Sequence, residues 1–301
     1  MTCLKIATRG SELALWQANY VASMLDCESE LVVLSTRGDR EKASLLSEIG
    51  GQGVFTKEIQ SALLDGRADI AVHSAKDLPT IAVEGLVVAA FPERGDPRDV
   101  LVGHALGELQ AGDIVATGSQ RRQAQLKAMR PDLEFAPLRG NIATRLSLAS
   151  HYGAVVVAYA ALERLGRLDA VAQAFDVTEL IPQVGQGALA VECRSDDEAV
   201  IARLKPIDDP HTRLAVEAER CLLAELGSGC SLPVGAYGSI DRLSGAVNLV
   251  GFIGSLDARI SLRLSGSGVN PFELGSRLGR ELLSGGGSEI LSAFGQGGDH
   301  G

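Results

Sequence analysis

The sequence predicts an α/β protein of two similar domains followed by a smaller α+β domain. Three observations carry that prediction. Strand-like and helix-like segments alternate through the first two thirds of the chain, the pattern of a largely parallel sheet with covering helices. The stretch IATRGSELALWQA near the start is echoed by VATGSQRRQAQLKA after the turn-rich linker PERGDPRD, as two related domains would require. From DPHTRLAVEAERCLLAEL onward the alternation gives way to a helix, short strands and a last helix.

The elements follow in order. LKIAT reads as a strand, and ELALWQANYVASML as a helix with apolar residues near 3.6 spacing and Ser11 at its N-cap. LVVLST is a strand, and FTKEIQSALLDG a helix with Thr56 as N-cap and Gly66 as C-cap. ADIAVHSA is a strand that Pro79 brings to an end, and GLVVAAF is another. Past the linker, DIVATGSQRRQAQLKAM, LEFAPLRGNIATRLSLA and GAVVVAYAALERLG each run strand, loop, helix. IPQVGQGALAVECR is a Gly-rich turn entering a strand, read as a crossing between domains. AVNLVGFIG and ARISLRLSG are the strands of the last domain, and PFELGSRLGRELL its helix. The division expected is 1–95 with 186–207, then 96–185, then 208–301.

Apolar residues make up 46% of the chain and charged residues 22%, ample for a buried core, while aromatics are only 4%. No apolar run is long enough to span a membrane, and the N-terminus lacks the basic and apolar regions of a secretory signal. A cytoplasmic protein, monomeric and without a membrane partner, is expected. The five cysteines are widely spaced without a CxxC pair, and the five histidines are scattered, which disfavours a metal site or a disulfide framework. A net charge of −10 argues against nucleic-acid binding. Yet Arg121, Arg122, Arg139 and Arg145 cluster, with Arg164 soon after. That enrichment is either a solvated basic face or a pocket for anions.

Ligands of open α/β sheets bind where strands end and helices begin. Polar clusters fall at such places: Thr8-Arg9-Gly10-Ser11, Lys76-Asp77, Thr117-Gly118-Ser119 before Arg121, and Arg139-Gly140-Asn141. Backbone N–H groups at a helix start favour anions, and arginine adds bidentate recognition of carboxylates. The Gly-rich loops match neither nucleotide-binding spacing. Asp77 is either a turn residue before Pro79 or a carboxylate at the mouth of an arginine-lined cleft. His73, inside its strand, reads as a packed core histidine. Among the cysteines, Cys230 alone sits in a small-residue loop, GSGCSLPVG, where a thiolate could react.

The segments GGQGVFTKEIQSALLDGRADIAVHSAKDLP, ERGDPRDV, TGSQRRQAQL, LRGNIATRL, VGQGALAVECR and GSGCSLPVG, in this order, resemble the porphobilinogen deaminase family over nearly the whole chain. The resemblance implies two periplasmic-binding-protein-like α/β domains flanking a cleft, plus a small α+β domain with a cysteine loop. It implies a transferase that joins four porphobilinogen molecules head to tail with loss of ammonia and releases hydroxymethylbilane, in tetrapyrrole biosynthesis. Cys230 would hold a dipyrromethane cofactor through a thioether, and Asp77 would be the catalytic aspartate, stabilising the cation left when ammonia departs. Arg9, Arg121, Arg122, Arg139, Arg145 and Arg164 would bind pyrrole carboxylates, helped by Ser11, Lys76, Thr117 and Ser119, with Phe55 near the cleft. The chain departs from the family pattern at Gln52, where many members have lysine, and at Gly118 and Gln120 in the anion loop. The competing reading is a non-enzymatic protein that holds an organic acid in the same cleft. It leaves the cysteine loop and the third domain without a use.

Overall fold

The computed structural model describes residues 3–34, 56–227 and 232–296. The chain divides into two compact units, Met1–Gly95 with Gly187–Arg213, and Asp96–Gln186 with Leu214–Gly301.

The first unit is built on a five-stranded sheet. In chain order its strands are β1 (Leu4–Arg9), β2 (Ser29–Leu34), β3 (Ile70–Ser74), β4 (Leu86–Ala90) and, after the excursion through the second unit, β10 (Leu189–Arg194). Their order across the sheet is β2-β1-β3-β10-β4. β1 runs parallel to both β2 and β3, whereas β10 lies antiparallel between β3 and β4. Both faces are buried. Ile6, Ile70 and Val72 pack with Ala18 and Val21 of helix α1 (Glu12–Met24). Ala7 and Ala71 pack with Ile59 and Leu63 of helix α2 (Lys57–Leu64). Ser11 caps α1 as its side chain requires, its hydroxyl accepting from Ala14 N at 3.3 Å. Thr56 stands at the N-cap position of α2 without a side-chain cap bond, and Gly66 takes the left-handed turn after it at φ 71.

The second unit repeats the plan. β5 (Asp99–Gly103), β6 (Ile114–Ala116), β7 (Glu134–Ala136), β8 (Ala154–Ala158) and β9 (Val171–Ala174) form a sheet of order β7-β6-β8-β5-β9. β6 is parallel to β7 and β8, and β5 is antiparallel to β8 and β9. The expected parallel sheets thus each carry one reversed strand. The reason is connectivity: β5 and β10 are the strands by which the chain crosses between units, and neither follows a covering helix of its own sheet. Parallel neighbours need such a crossover. The echo between the two halves is a repeated topology.

The second unit also holds a three-stranded antiparallel sheet of β11 (Val234–Ile240), β12 (Val247–Gly254) and β13 (Ser261–Gly268). The helix Pro271–Leu282 packs Leu274, Leu278 and Leu282 onto that sheet, along with Ala218 and Leu222 of the helix Pro210–Glu225. The sequence reading missed β11, because VGAYGSI lacks a run of β-branched residues. Its glycines are there for close approach. A Cβ on Gly235 would lie 2.8 Å from the Pro182 carbonyl oxygen, and one on Gly238 2.8 Å from that of Ala215.

Candidate functional site

In the first unit the polar clusters at the strand ends converge. β1 delivers Arg9, and the turn into α1 delivers Ser11. β3 ends at Ser74 and passes into a short 3-10 turn, Ala75–Asp77. A pocket of about 80 Å³ is lined by Arg9, Ser11, Gln17, Thr56, His73, Ser74 and Asp77, with apolar contributions from Leu13, Ala14, Ile59 and Val72. Asp77 is exposed, and Lys76 beside it is half-buried. Gln17 reaches from α1 to donate to Ser74 Oγ at 2.9 Å, fixing the end of β3. A guanidinium and several hydroxyls thus face the same small space as an exposed carboxylate, which suits a ligand with carboxylates of its own and N–H donors. Phe55, Gln52 and the Cys230 loop lie outside the described residues.

In the second unit two adjacent loops carry the remaining candidates. Thr117 and Ser119 lie between β6 and helix α3 (Gln120–Met129), with Thr117 Oγ accepting from Ser119 N at 3.1 Å and Ser119 at the N-cap. Arg139 and Arg145 flank the next strand-to-helix junction, which leads into helix α4 (Ile142–Ser147). Asn141 caps that helix through Thr144 N at 2.9 Å, and Arg145 Nε donates to the Gly140 carbonyl at 2.9 Å. Arg139 is exposed, whereas Arg145 and Arg164 are half-buried. The two loops touch: a Cβ on Gly118 would stand 2.7 Å from the Leu138 carbonyl oxygen. The glycine that departs from the family pattern therefore permits a closer approach than serine would. At the other departure, Gln120 Oε1 is buried without a hydrogen bond.

Arg121 and Arg122, which the sequence left as part of either a solvated basic face or an anion pocket, are buried. They are only 2% and 5% exposed, and both turn inward to the fully buried Asp99 of β5. Arg122 holds Asp99 Oδ1 through Nε at 3.0 Å and Nη2 at 2.7 Å. Arg121 Nη2 lies 2.8 Å from Oδ2. Gln186 adds a hydrogen bond to Oδ1 at 2.8 Å, and the Arg121 and Arg122 Nη1 groups are taken by the carbonyls of Ile181 and Val156. Arg121 Nε keeps no hydrogen-bond partner. The cause is Asp99: a carboxylate buried in the sheet is tolerated only when paired and hydrogen-bonded. Burial alone would push its carboxyl up, but the Arg121 and Arg122 charges, with hydrogen bonds from Arg122 and Gln186, hold it down at about 2.

A carboxyl depressed in this way contributes stability that is full above its unfolded value near 3.8 and is lost as pH falls towards 2. The amount is about 2 kcal/mol. Urea unfolding of the parent is expected to weaken between pH 5 and pH 3, and Asp99→Asn is expected to start less stable and show a smaller loss over that range. An equal pH response in the two proteins would contradict the assignment.

Residues that spacing did not reveal also shape the site. His73, read as a core histidine, is indeed buried at 5% exposure, yet it lines the pocket, with Nε2 3.3 Å from Glu192 Oε2. Gln17 joins the pocket from α1. Among the described residues no three histidine, cysteine or acidic side chains gather as a metal would need, and no helix is long and apolar enough to cross a membrane.

Comparison with known proteins gives these residues a family. Residues 4–202 match the family model "Porphobilinogen deaminase, dipyromethane cofactor binding domain", and residues 213–284 match "Porphobilinogen deaminase, C-terminal domain". The chain is 46% identical to the porphobilinogen deaminase of Acidothermus cellulolyticus, covering 97% of this chain and 92% of that protein. It is 43% identical to that of Brevibacillus brevis, covering 96% of each, and 44% identical to that of Syntrophus aciditrophicus, covering 96% and 97%. Among solved structures, the methionine-binding protein MetQ shares 12% identity at a TM-score of 0.40, over 68% of this chain and 89% of that one. That likeness is distant, and the family assignment rests on the sequence matches, which span both units. The chain belongs to the porphobilinogen deaminase family.

Proposed function

We propose that this chain carries out the family's reaction, joining four porphobilinogen molecules head to tail with loss of ammonia and releasing hydroxymethylbilane for tetrapyrrole biosynthesis. The observation that carries the reading is the first-unit pocket, where Arg9, Ser11 and Asp77 meet at the ends of two parallel strands. Asp77 is the catalytic carboxylate. Exposed at the pocket, it stabilises the positive charge that develops on the incoming pyrrole as the amine departs, and it is placed to accept a proton. Arg9 and Lys76 hold pyrrole carboxylates, and the Ser11 hydroxyl orients them.

A dipyrromethane cofactor fits this donor set, since the pocket offers cationic and hydroxyl donors for its carboxylates and an exposed carboxylate for its N–H groups. When bound, it supplies the nucleophilic pyrrole carbon on which the product is built. Cys230 is its thioether tether. Three of the other thiols suit that role poorly: burial pushes Cys193 up to about 11 and also raises Cys221, while Cys3 is raised by desolvation and its acidic neighbours Glu30 and Glu28. Thr117, Ser119, Arg139, Arg145 and Arg164 are assigned to the carboxylates of the growing chain, and Phe55 to the edge of the site. Arg121 and Arg122, buried and bound to Asp99, anchor that loop. The domain division 1–95 with 186–207, 96–185 and 208–301, a cytoplasmic location and a monomeric state complete the proposal.

The test is stoichiometric. Incubation of the purified protein with porphobilinogen is expected to release ammonia in fourfold excess over a linear tetrapyrrole. Saturable binding without ammonia release would overturn this reading in favour of a non-enzymatic acid-binding protein.

A further inference from the structure

Asp77 sits at the tip of the turn that follows β3, so its position depends on how the end of that strand is held. Successive residues of a strand face opposite sides of the sheet. Ile70 and Val72 belong to the face packed by α1, and Ala71 to the face packed by α2. Ser74 continues the first series, where Gln17 of α1 binds it at 2.9 Å. His73 continues the second, beneath α2.

On that second face the core is otherwise apolar, built from Ala7, Ile59, Leu63 and Leu86. Into it the fold places three polar side chains, Gln60, His73 and Glu192, all at most 5% exposed. Gln60 Nε2 reaches both oxygens of Glu192 at 3.1 Å, and Glu192 Oε2 lies 3.3 Å from His73 Nε2. That nitrogen is buried and makes no hydrogen bond, the Glu192 carboxylate being its polar neighbour. Packing alone does not account for the arrangement, because replacing both partners of a buried polar contact by apolar groups of the same shape is often neutral or stabilising. A buried polar group left short of a partner is a feature that needs another reason.

We propose that Gln60, Glu192 and His73 form a positioning device for the reaction. α2 holds Glu192, Glu192 holds the imidazole at the pocket wall, and the imidazole fixes the end of β3 from the face opposite the Gln17–Ser74 bond. The strand end is then clamped on both sides, and the Lys76–Asp77 turn leaves it in one direction. This inference rests on the reading of the pocket as the reaction site. Its consequence is kinetic: the three residues act on kcat through Asp77, with little effect on substrate affinity.

The experiment compares Glu192→Gln, His73→Leu and the double variant, each purified as holoenzyme and assayed with porphobilinogen beside Asp77→Ala. Each single variant is expected to keep a cooperative melt, to lower kcat about tenfold and to leave KM within about twofold. The double variant is expected to be no slower than the worse single one within about twofold, since the residues act as one unit. Singles that keep kcat within twofold, or losses that multiply in the double variant, would overturn the clamp. If the single variants fail to fold, Gln60→Leu, one step further from the pocket, is expected to lower kcat about threefold with KM unchanged, and a normal kcat there overturns the proposal. An active Asp77→Ala would instead sink the assignment of the pocket, whereas an inactive Asp77→Ala beside a fully active His73→Leu sinks the clamp alone.

Discussion

Asp77→Ala is expected to fold as the parent does and to lose at least about a hundredfold in kcat. The two halves of that expectation have separate grounds. Asp77 is exposed, and substitutions at exposed sites away from caps and buried networks usually move stability by less than about 0.5 kcal/mol. Among the described residues its carboxylate is nonetheless the one acidic side chain lining the pocket that Arg9 and Ser11 share. Loss of an amine from a pyrrole leaves positive charge on the ring, and a fixed negative group is worth most where that charge appears. Asp77→Asn keeps the shape and removes the charge, so it is expected to fall with the alanine variant, whereas Asp77→Glu retains part of the rate. Steady-state rates with porphobilinogen beside thermal melts decide the matter. A rate within about threefold of the parent for Asp77→Asn would refute the electrostatic role.

Cys230→Ser is expected to be soluble, to retain no covalent cofactor and to turn over at less than about 1% of the parent rate. A serine hydroxyl is a far weaker nucleophile than a thiol and is not ionised near neutral pH. Cys193→Ser and Cys221→Ala serve as controls, because burial raises both thiols and neither belongs to the cysteine loop. Those controls are expected to keep the cofactor, and a loss confined to either of them would move the attachment site.

What the sequence disclosed was local. Ser11 was recognisable as a cap because its hydroxyl serves a backbone N–H three residues on, and the structure makes that bond. The clusters at Arg9, Ser11 and Asp77 were recognisable because strand ends in α/β sheets are where ligands bind, and the structure brings these residues to one pocket. Non-local pairing was hidden. Gln60 and Glu192 stand 132 positions apart, so their contact has no signature in spacing. The inward turn of Arg121 and Arg122 depends on Asp99, which reads in sequence as one more acidic residue of the linker DPRD. β11 escaped because its glycines, needed for close backbone approach, erase the β-branched pattern by which strands are found. β10 was recognisable as a strand after a crossing between domains, but its reversed direction was not, because alternation of strand and helix reports parallel pairing, and β5 was lost in the turn-rich linker.

The pyrrole chain is expected to grow while tethered to this protein through Cys230. Intact-protein mass spectrometry with peptide mapping tests it most directly. The purified protein is expected to weigh more than its sequence by two pyrrole units, with the excess on the peptide containing Cys230 and further pyrrole increments after brief incubation with porphobilinogen. A protein that has the bare sequence mass, and keeps it after that incubation, would contradict the account.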